Sequence, residues 1–397
     1  MVAVMSKKSA KKAKNPVTAF ASDLYPKLGE STENSFFSPY SLETALGMCL
    51  VGAKGETNKV LASLLKSPPS VKSQVELFSS LITEMEGDGS ERPYELRSVN
   101  ALWPHKGHGF ELKPEYLQLM KDEFHSSVNL VDYIDAPDAA VDSINEWCDE
   151  STNGKIKTII DKTFINKESR LILTNAIYFK GKWKEEFDKK DTRPETFWDA
   201  EGDSNEVPTM HKKDSFSYYE NDTFKALELP YKGDDLSMLV VLPHQSERML
   251  DGSPFVDYNF NTVNSNLEAV YEEARNGLHY EEKVEVSLPK FKFETKYKLG
   301  DTFKAMGAAL AFSDDADFTG ISETRLKISE VVHKAFVEVD EEGTEAAAVT
   351  AVGMMRCTSV RMPLPPKQFK ADHPFVFFII NRKSGNIHFC GRVANLK

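Results

Sequence analysis

The chain has 397 residues, 41% of them hydrophobic, which is enough for a large core, and a formal net charge of −12 from 49 Lys and Arg against 61 Asp and Glu. Such an acidic balance argues against nucleic acid or an anionic membrane as the main partner. The four cysteines, Cys49, Cys148, Cys357 and Cys390, lie far apart with no CxxC pair, so metal-ligand and redox spacings are absent and reduced core thiols are expected.

Residues 1–15 carry Lys7, Lys8, Lys11, Lys12 and Lys14 without an apolar stretch of signal-peptide length. They read as a disordered basic tail, with a nuclear-import or polyanion-binding tag as the functional alternative. No run is long and apolar enough for a transmembrane helix. The spacing of Phe20, Leu24 and Leu28 predicts a helix over 17–28 that ends or kinks at Pro26. Ser38-Pro39 predicts the start of a second helix through Leu42, Leu46, Cys49 and Leu50, and Lys54-Gly55-Glu56-Thr57 a break before the next. Residues 68–86 form a further helix, mostly acidic or neutral. Residues 96–103 read as a strand, 114–124 as a helix, and 139–151 as an amphipathic helix closed by Asn153-Gly154, a pair that tolerates the left-handed conformation. The apolar run 170–180, with Asn175 inside it, fits a strand buried on both faces. Strand-like runs alternate with turns over 216–243, and 284–293 alternates as a strand bent at Pro289. Then follow a helix over 298–312, a strand over 326–339, and a strand pair, 375–380 and 387–393, joined by a turn containing Ser384-Gly385. Strands and helices in similar number without βαβ alternation make an α+β protein.

Composition leaves a Ser/His/Asp constellation open, but there is no GxSxG elbow, HExxH pair, Walker loop or GxGxxG after a strand. Taken alone, His333 reads as a core histidine with satisfied hydrogen bonds and Trp183 as an ordinary core tryptophan.

Residues 341–353, Glu-Glu-Gly-Thr-Glu-Ala-Ala-Ala-Val-Thr-Ala-Val-Gly, support three readings. Alanine favours a helix. As a strand, Thr344, Ala346, Ala348, Thr350 and Val352 share one small, uncharged face, opposite Glu345, Ala347, Val349 and Ala351. The leading acids, a glycine at each end and the basic, proline-rich stretch that follows suit an exposed loop. The run from Glu341 to Ala348 resembles the hinge of a serpin's reactive-centre loop. Motifs in the same order and spacing accompany it: Asn34-Ser35-Phe36-Phe37-Ser38-Pro39-Tyr40-Ser41, Leu173-Thr174-Asn175-Ala176-Ile177-Tyr178-Phe179-Lys180-Gly181-Lys182-Trp183, Val332-His333-Lys334-Ala335, and Asp372-His373-Pro374-Phe375 with Phe389-Cys390-Gly391-Arg392-Val393. Over nearly its whole length the chain resembles an intracellular, clade-B-like serpin.

The resemblance implies one domain over 16–397 with a large central β-sheet, two further sheets, eight to nine helices and a loop at about 341–365. It implies an inhibitor of serine proteases and not an enzyme. The target's serine attacks the loop and forms an acyl-enzyme. The cut arm then inserts into the central sheet, a standard instance of β-strand addition and of stored strain released. The hinge would be Glu342, Gly343, Thr344, Glu345, Ala346, Ala347 and Ala348. A charge at Thr344 or bulk at Ala346 would turn inhibitor into substrate, and neither is present. Ser38, Ser41, Asn175 and His333 match the polar shutter where the central strands part, and Trp183 matches the breach where the loop first enters. No cofactor or metal is implied. The expected partner is a target protease held covalently by a monomer. Heparin is not expected, because the 68–86 helix lacks the Lys and Arg cluster of heparin-binding members. Inhibition of chymotrypsin-like, elastase-like or cysteine proteases is an alternative, as is a non-inhibitory binding or chaperone-like role, which charge or proline in the hinge would mark.

Two anchors for the cut bond disagree. Counting from the hinge at the family's usual length reaches Cys357, or Arg356 one position shorter, whereas counting back from Phe369 reaches Arg361-Met362. A cut after Arg361 would draw the Arg356 guanidinium unpaired into the sheet. Arg356-Cys357 is therefore preferred, with Cys357-Thr358 and Arg361-Met362 as runners-up, since arginine fits the acidic pocket of trypsin-like proteases. Met354, Met355 and Cys357 could instead serve chymotrypsin-like or elastase-like pockets. The missing signal peptide and few cysteines point to the cytoplasm, with unconventional secretion or nuclear entry left open.

Overall fold

The computed structural model describes residues 15–87, 92–107, 109–244, 258–344 and 365–397. In chain order the helices are α1 (Pro16–Leu24), α2 (Pro39–Gly52), α3 (Gly55–Leu64), α4 (Val71–Glu86), α5 (Pro114–Asp122), α6 (Pro137–Ser151), α7 (Tyr258–Ser265), α8 (Leu267–Gly277) and α9 (Gly300–Phe303). The last continues through a π-turn and a 3-10 turn to Phe312. The strands are β1 (Ser35–Phe37), β2 (Tyr94–Pro104), β3 (Ser127–Val128), β4 (Leu171–Lys182), β5 (Arg193–Trp198), β6 (Ser204–Glu220), β7 (Phe224–Pro230), β8 (Leu236–Pro243), β9 (His279–Pro289), β10 (Phe291–Lys298), β11 (Ile328–Val339), β12 (Gly343–Thr344), β13 (Lys367–Lys370), β14 (Phe375–Asn381) and β15 (Ile387–Val393).

Local chemistry sets the element ends. The Ser38 hydroxyl accepts the Ser41 N–H at 3.0 Å and caps α2, with Pro39 at its first position. Pro26 ends α1 at Leu24 and leaves a 3-10 turn after it. The main sheet runs β10-β11-β12-β4-β2-β3. At its centre β4 and β11 are parallel, paired from Leu171 with Ile328 to Tyr178 with Phe336. Nine strands form the second assembly, in the order β1-β15-β14-β8-β7-β6-β9-β13 with β5 on β6. The 17-residue β6 bridges two parts of it, pairing with β5 through Ser204–Thr209 and with β7 through Ser217–Glu220. This accounts for the two smaller sheets expected, and the architecture is α+β.

Phenylalanines join the layers. Phe36 of β1 stacks on Phe389 at 5.1 Å and Phe377 at 5.8 Å, with Phe293 of β10 edge-on at 6.4 Å, and Phe179 of β4 meets Phe389 at 6.0 Å. Each fully buried ring contributes about 2 kcal/mol. Alternation along β4 sends Leu171, Leu173, Ile177 and Phe179 into this core and Ile172 and Ala176 into a second apolar cluster. There they gather with Val141, Ile144 and Cys148 of α6, Ala101 and Trp103 of β2, and Val332 of β11. Asn145 of α6 accepts the N–H groups of Ile159 and Ile160 at 2.8 and 3.1 Å, and Lys334 Nζ of β11 donates to the Thr158 carbonyl at 2.8 Å, which pins the linker behind α6.

α7, α8, β1, β5 and the first half of β6 go beyond the predicted elements. β1 has three residues, all buried, and is too short to show a period. β5 and the start of β6 are a largely polar hairpin whose apolar alternation is sparse.

Glu43, midway along the fully buried α2, is 1% exposed, and its Oε1 has no hydrogen-bond partner. Burial holds its carboxyl well above the usual carboxylate range. A folded pKa above the unfolded one costs stability as pH rises past the ordinary carboxylate range. Glu43→Met removes the orphaned oxygen at similar volume, and its thermal unfolding midpoint should rise at about pH 8 by the equivalent of about 1–3 kcal/mol, with the gain shrinking towards about pH 4. An equal or lower midpoint at the higher pH would show that the carboxylate is compensated.

Candidate functional site

Beyond Val339 the chain turns sharply. The Asp340 N–H donates to the Gly343 carbonyl at 2.9 Å, and the Asp340 carboxylate accepts the N–H groups of Glu342 at 2.9 Å and Gly343 at 3.2 Å. Gly343 and Thr344 then run back as β12, wedged between β4 and β11, with Gly343 opposite Lys182 and Thr344 opposite both Gly181 and Val339. Gly343 has φ 150°, and a Cβ there would meet the Gly181 carbonyl oxygen at 2.0 Å, so this approach to β4 needs glycine.

The sequence reading has the loop leaving the body at Glu341, but the structure buries Glu341, Glu342 and Thr344. Glu341 pairs with Lys290 Nζ at 2.7 Å and accepts the Thr192 hydroxyl at 2.7 Å. Burial opposes its ionisation, yet the Lys290 and Thr192 hydrogen bonds outweigh that and hold its carboxyl below the usual range. Glu342 pairs with Lys189 at 2.5 Å, with Lys182 at 3.8 Å. These partners replace the water an exposed loop would have supplied.

Trp183 meets the Asp340–Gly343 turn at this end of the sheet. Its Nε1–H donates to the Asp340 carbonyl at 2.9 Å and its backbone N–H to the Glu342 carbonyl at 2.8 Å. Its ring stacks on Tyr231, 4.7 Å away and 13° from parallel. The Tyr231 hydroxyl lies 2.9 Å from Thr344 Oγ1. Tyr231 is a site residue that the sequence reading misses. Only its Leu-Pro-Tyr setting at the end of β7 hints at it.

At mid-sheet, Ser38, Ser41, Asn175 and His333 come together as one network, all fully buried. Asn175 faces His333 across the β4–β11 seam and Asn100 across the β4–β2 pair, so three side chains align at one level. His333 Nδ1 lies 2.5 Å from Asn175 Oδ1, and Nε2 accepts the Ser38 N–H at 3.2 Å. This donor pattern assigns the proton to Nδ1. The Ser38 hydroxyl donates to the His388 carbonyl of β15 at 2.6 Å. The Asn175 amide nitrogen is shared among the Ser41 carbonyl at 3.3 Å, the Ser41 hydroxyl and Asn100 Oδ1. Ser98, Asn100 and Thr44 complete the network, Ser98 Oγ lying 2.5 Å from Ser41 Oγ and Asn100 Nδ2 donating to Thr44 Oγ1 at 3.2 Å. The sequence reading misses these three.

Glu345, Ala346, Ala347, Ala348 and the candidate cut-bond residues Arg356, Cys357, Thr358, Arg361 and Met362 lie outside the described residues, as does the tail before Asn15.

Burial pulls the His333 pKa down to about 3, and the geometry agrees, since a second ring proton would face the Ser38 N–H. The folded pKa lies below the unfolded value of about 6.5, so stability is intact above that value and falls as pH drops beneath it, by about 2 kcal/mol near pH 5. His333→Gln should lower the unfolding midpoint at about pH 7.5 yet show a shallower decline towards about pH 5 than the unmodified protein. Parallel declines in the two thermal series would exclude His333 as the titrating group.

A family model described as Serpin (serine protease inhibitor) matches residues 15–396. The chain is 42% identical, over 99% of its length, to an uncharacterized serpin-like protein of Thermococcus kodakarensis and covers 88% of that protein. To Serpin B4 of Homo sapiens it is 36% identical over 95% of its length, covering 98% of that chain. Among solved structures, the thermophilic serpin Tengpin in its native state superposes with a TM-score of 0.83 at 27% identity, over 99% of this chain and 96% of that one. Serpin48 of the insect Tenebrio molitor does so with a TM-score of 0.82 at 29% identity, over 96% and 97%. With its polar seam and wedged hinge on such a frame, the chain belongs to the serpin family.

Proposed function

We propose that this serpin inhibits a trypsin-like serine protease as a suicide substrate cut between Arg356 and Cys357. The observation that carries the reading is the wedge of Gly343 and Thr344 between two parallel strands, with Thr344 uncharged and 1% exposed. An arm that already lies in the sheet can lengthen as a strand, because each added residue finds backbone partners on both sides. Ala346 and Ala348 share the side-chain parity of Thr344 and bring only methyl groups to that face.

The protease serine Oγ attacks the Arg356 carbonyl, and the amine of Cys357 leaves, which gives an acyl-enzyme. Insertion of the freed arm between β4 and β11 carries the tethered protease away from the loop's starting point. The displaced triad loses the geometry needed to activate water, and the ester persists. A cut after Arg356 leaves its guanidinium at the outer end of the new strand, where solvent can reach it. The protein acts as a monomer. A reducing, cytoplasmic setting is supported by Cys49, Cys148 and Cys390, which are free and buried, with burial pushing the Cys148 thiol up to about 12.

Titration against trypsin, chymotrypsin and elastase, read on denaturing gels with mass spectrometry of the released peptide, tests the reading. A denaturant-resistant complex with trypsin and a peptide starting at Cys357 are expected. A start at Thr358 or Met362 would move the bond, and a complex with chymotrypsin or elastase alone would move the target class. Cleavage by all three without any complex would overturn trapping in favour of a non-inhibitory role. Thr344→Arg forces a long charged side chain into a position that is 1% exposed and packed against Tyr231, so the yield of complex should fall by about tenfold or more while cleavage continues.

A further inference from the structure

We propose that Tyr231 is a positioning residue for loop insertion, whose hydroxyl keeps Thr344 seated at the mouth of the β4–β11 seam before any bond is cut. The inference rests on the inhibitory reading for its consequence, but the seating itself can be tested without a protease.

Three observations support it. First, the Tyr231 hydroxyl and Thr344 Oγ1 lie 2.9 Å apart with both residues buried. A buried hydroxyl left alone loses the partner it had in water, so each group makes the other's burial affordable. Second, Tyr231 is itself immobilised. Its ring is held face-on by Trp183 and edge-on by Phe179, at 4.9 Å and 76°, and its N–H donates to the Leu236 carbonyl at 3.0 Å. The hydroxyl is therefore a fixed point and not a group that follows the hinge. Third, the segment before Thr344 is anchored at each residue. Trp183 takes the carbonyls of Asp340 and Glu342, and the Phe187 N–H donates to the Glu341 carbonyl at 2.8 Å. Thr344 is the last described link in that series, paired in the sheet with Gly181 and Val339 and held besides by its hydroxyl to Tyr231.

Adding a strand is hardest at its first pair, where backbone freedom is lost before later hydrogen bonds compensate. Here the first pair exists in the uncut protein: Thr344 is already in register with Gly181 and Val339. Insertion after acylation then begins from a formed nucleus and competes better with hydrolysis of the acyl-enzyme. The same seating fixes register, since a slip of one residue would put the wrong face of the arm towards the core.

Tyr231→Phe removes only the hydroxyl from one side, and Thr344→Val removes it from the other at nearly the same shape. Thr344→Ser keeps it. Tyr219→Phe, at a tyrosine bonded to Glu273 on the surface, is the control. Hydrogen exchange of the 340–344 backbone, followed by mass spectrometry, reads the seating. It should quicken about two- to tenfold in Tyr231→Phe and Thr344→Val, with the double variant no faster than the singles, and stay unchanged in Thr344→Ser and Tyr219→Phe. The rate of thermal stabilisation after the loop is nicked by a non-target protease reads insertion, and it should fall in the same variants. The number of inhibitor molecules consumed per protease trapped should rise with them. Unchanged exchange in both single variants would overturn the seating. Quicker exchange with an unchanged insertion rate would overturn the positioning role. A chain that stabilises after nicking but traps no protease would remove the inhibitory reading and leave this inference standing. Should Tyr231→Phe fail to fold, Thr344→Val decides alone, because that residue lies at the sheet's rim and not in its core.

Discussion

Two parallel strands that pair along most of their length and diverge at one end around β12 constrain everything packed around them. In a purely apolar seam, nothing would mark one level of β4 against another level of β11. Here Asn100, Asn175 and His333 align at a single level, and each finds its partner only when the strands keep this register. In a low-dielectric interior such a network is costly to leave half-made. It therefore ties the seam to the N-terminus of α2, through Ser38 and Ser41, and to β15, through the His388 carbonyl. The complete burial of α2 follows from this role, because its first turn has to reach the middle of the sheet from beneath.

The rim of the seam is governed by charge. Two consecutive acids are buried beside Thr344, and lysines from three separate stretches answer them: Lys290 between β9 and β10, Lys189 in the turn before β5, and Lys182 at the end of β4. Lys189 is itself largely exposed, so the attraction is screened at its end and modest. The asymmetry lies on the acid side. Losing a lysine would strand a carboxylate away from water, which is far more costly than the pair is favourable. The turn from Asp340 to Gly343 is thus fixed from several directions before Thr344 enters the sheet.

Much of this was legible in the sequence, for identifiable reasons. The nearly continuous apolar run 170–180 and the strand-like stretch 326–339 announced the two seam strands, and Ser38-Pro39 announced the start of α2. The grouping of Ser38, Ser41, Asn175 and His333 came from the family resemblance and not from any period, because these residues are scattered over some 300 positions. Asn100 and Thr44 escaped notice because nothing local distinguishes them: they meet each other across 56 residues, and Asn100 meets Asn175 across 75. The burial of Glu341 and Glu342 was unreadable for the same reason, since acids beside a glycine look solvent-exposed until lysines 51 and 153 positions away are brought to them. α8 is a different case. Leu267, Val270, Tyr271 and Ala274 are spaced as a helix buries them, and the pattern was available to be read.

α6 lies across the outer face of the seam and grips both of its sides. Its apolar face shares one cluster with Ile172 and Ala176 of β4 and with Val332 of β11, while Lys334 of β11 holds the linker behind it. A strand added between β4 and β11 would move the β11 side of this cluster away from the β4 side by one strand spacing, about 4.8 Å. That is more than a close-packed contact can stretch. Under the proposed mechanism the helix must therefore lift off, let the arm pass beneath, and settle onto a wider floor that includes the newcomer. It behaves as a strap that is unbuckled and refastened one notch wider. Under that mechanism the tightness of the strap, written in Val141, Ile144 and Cys148, would set how fast the arm can enter.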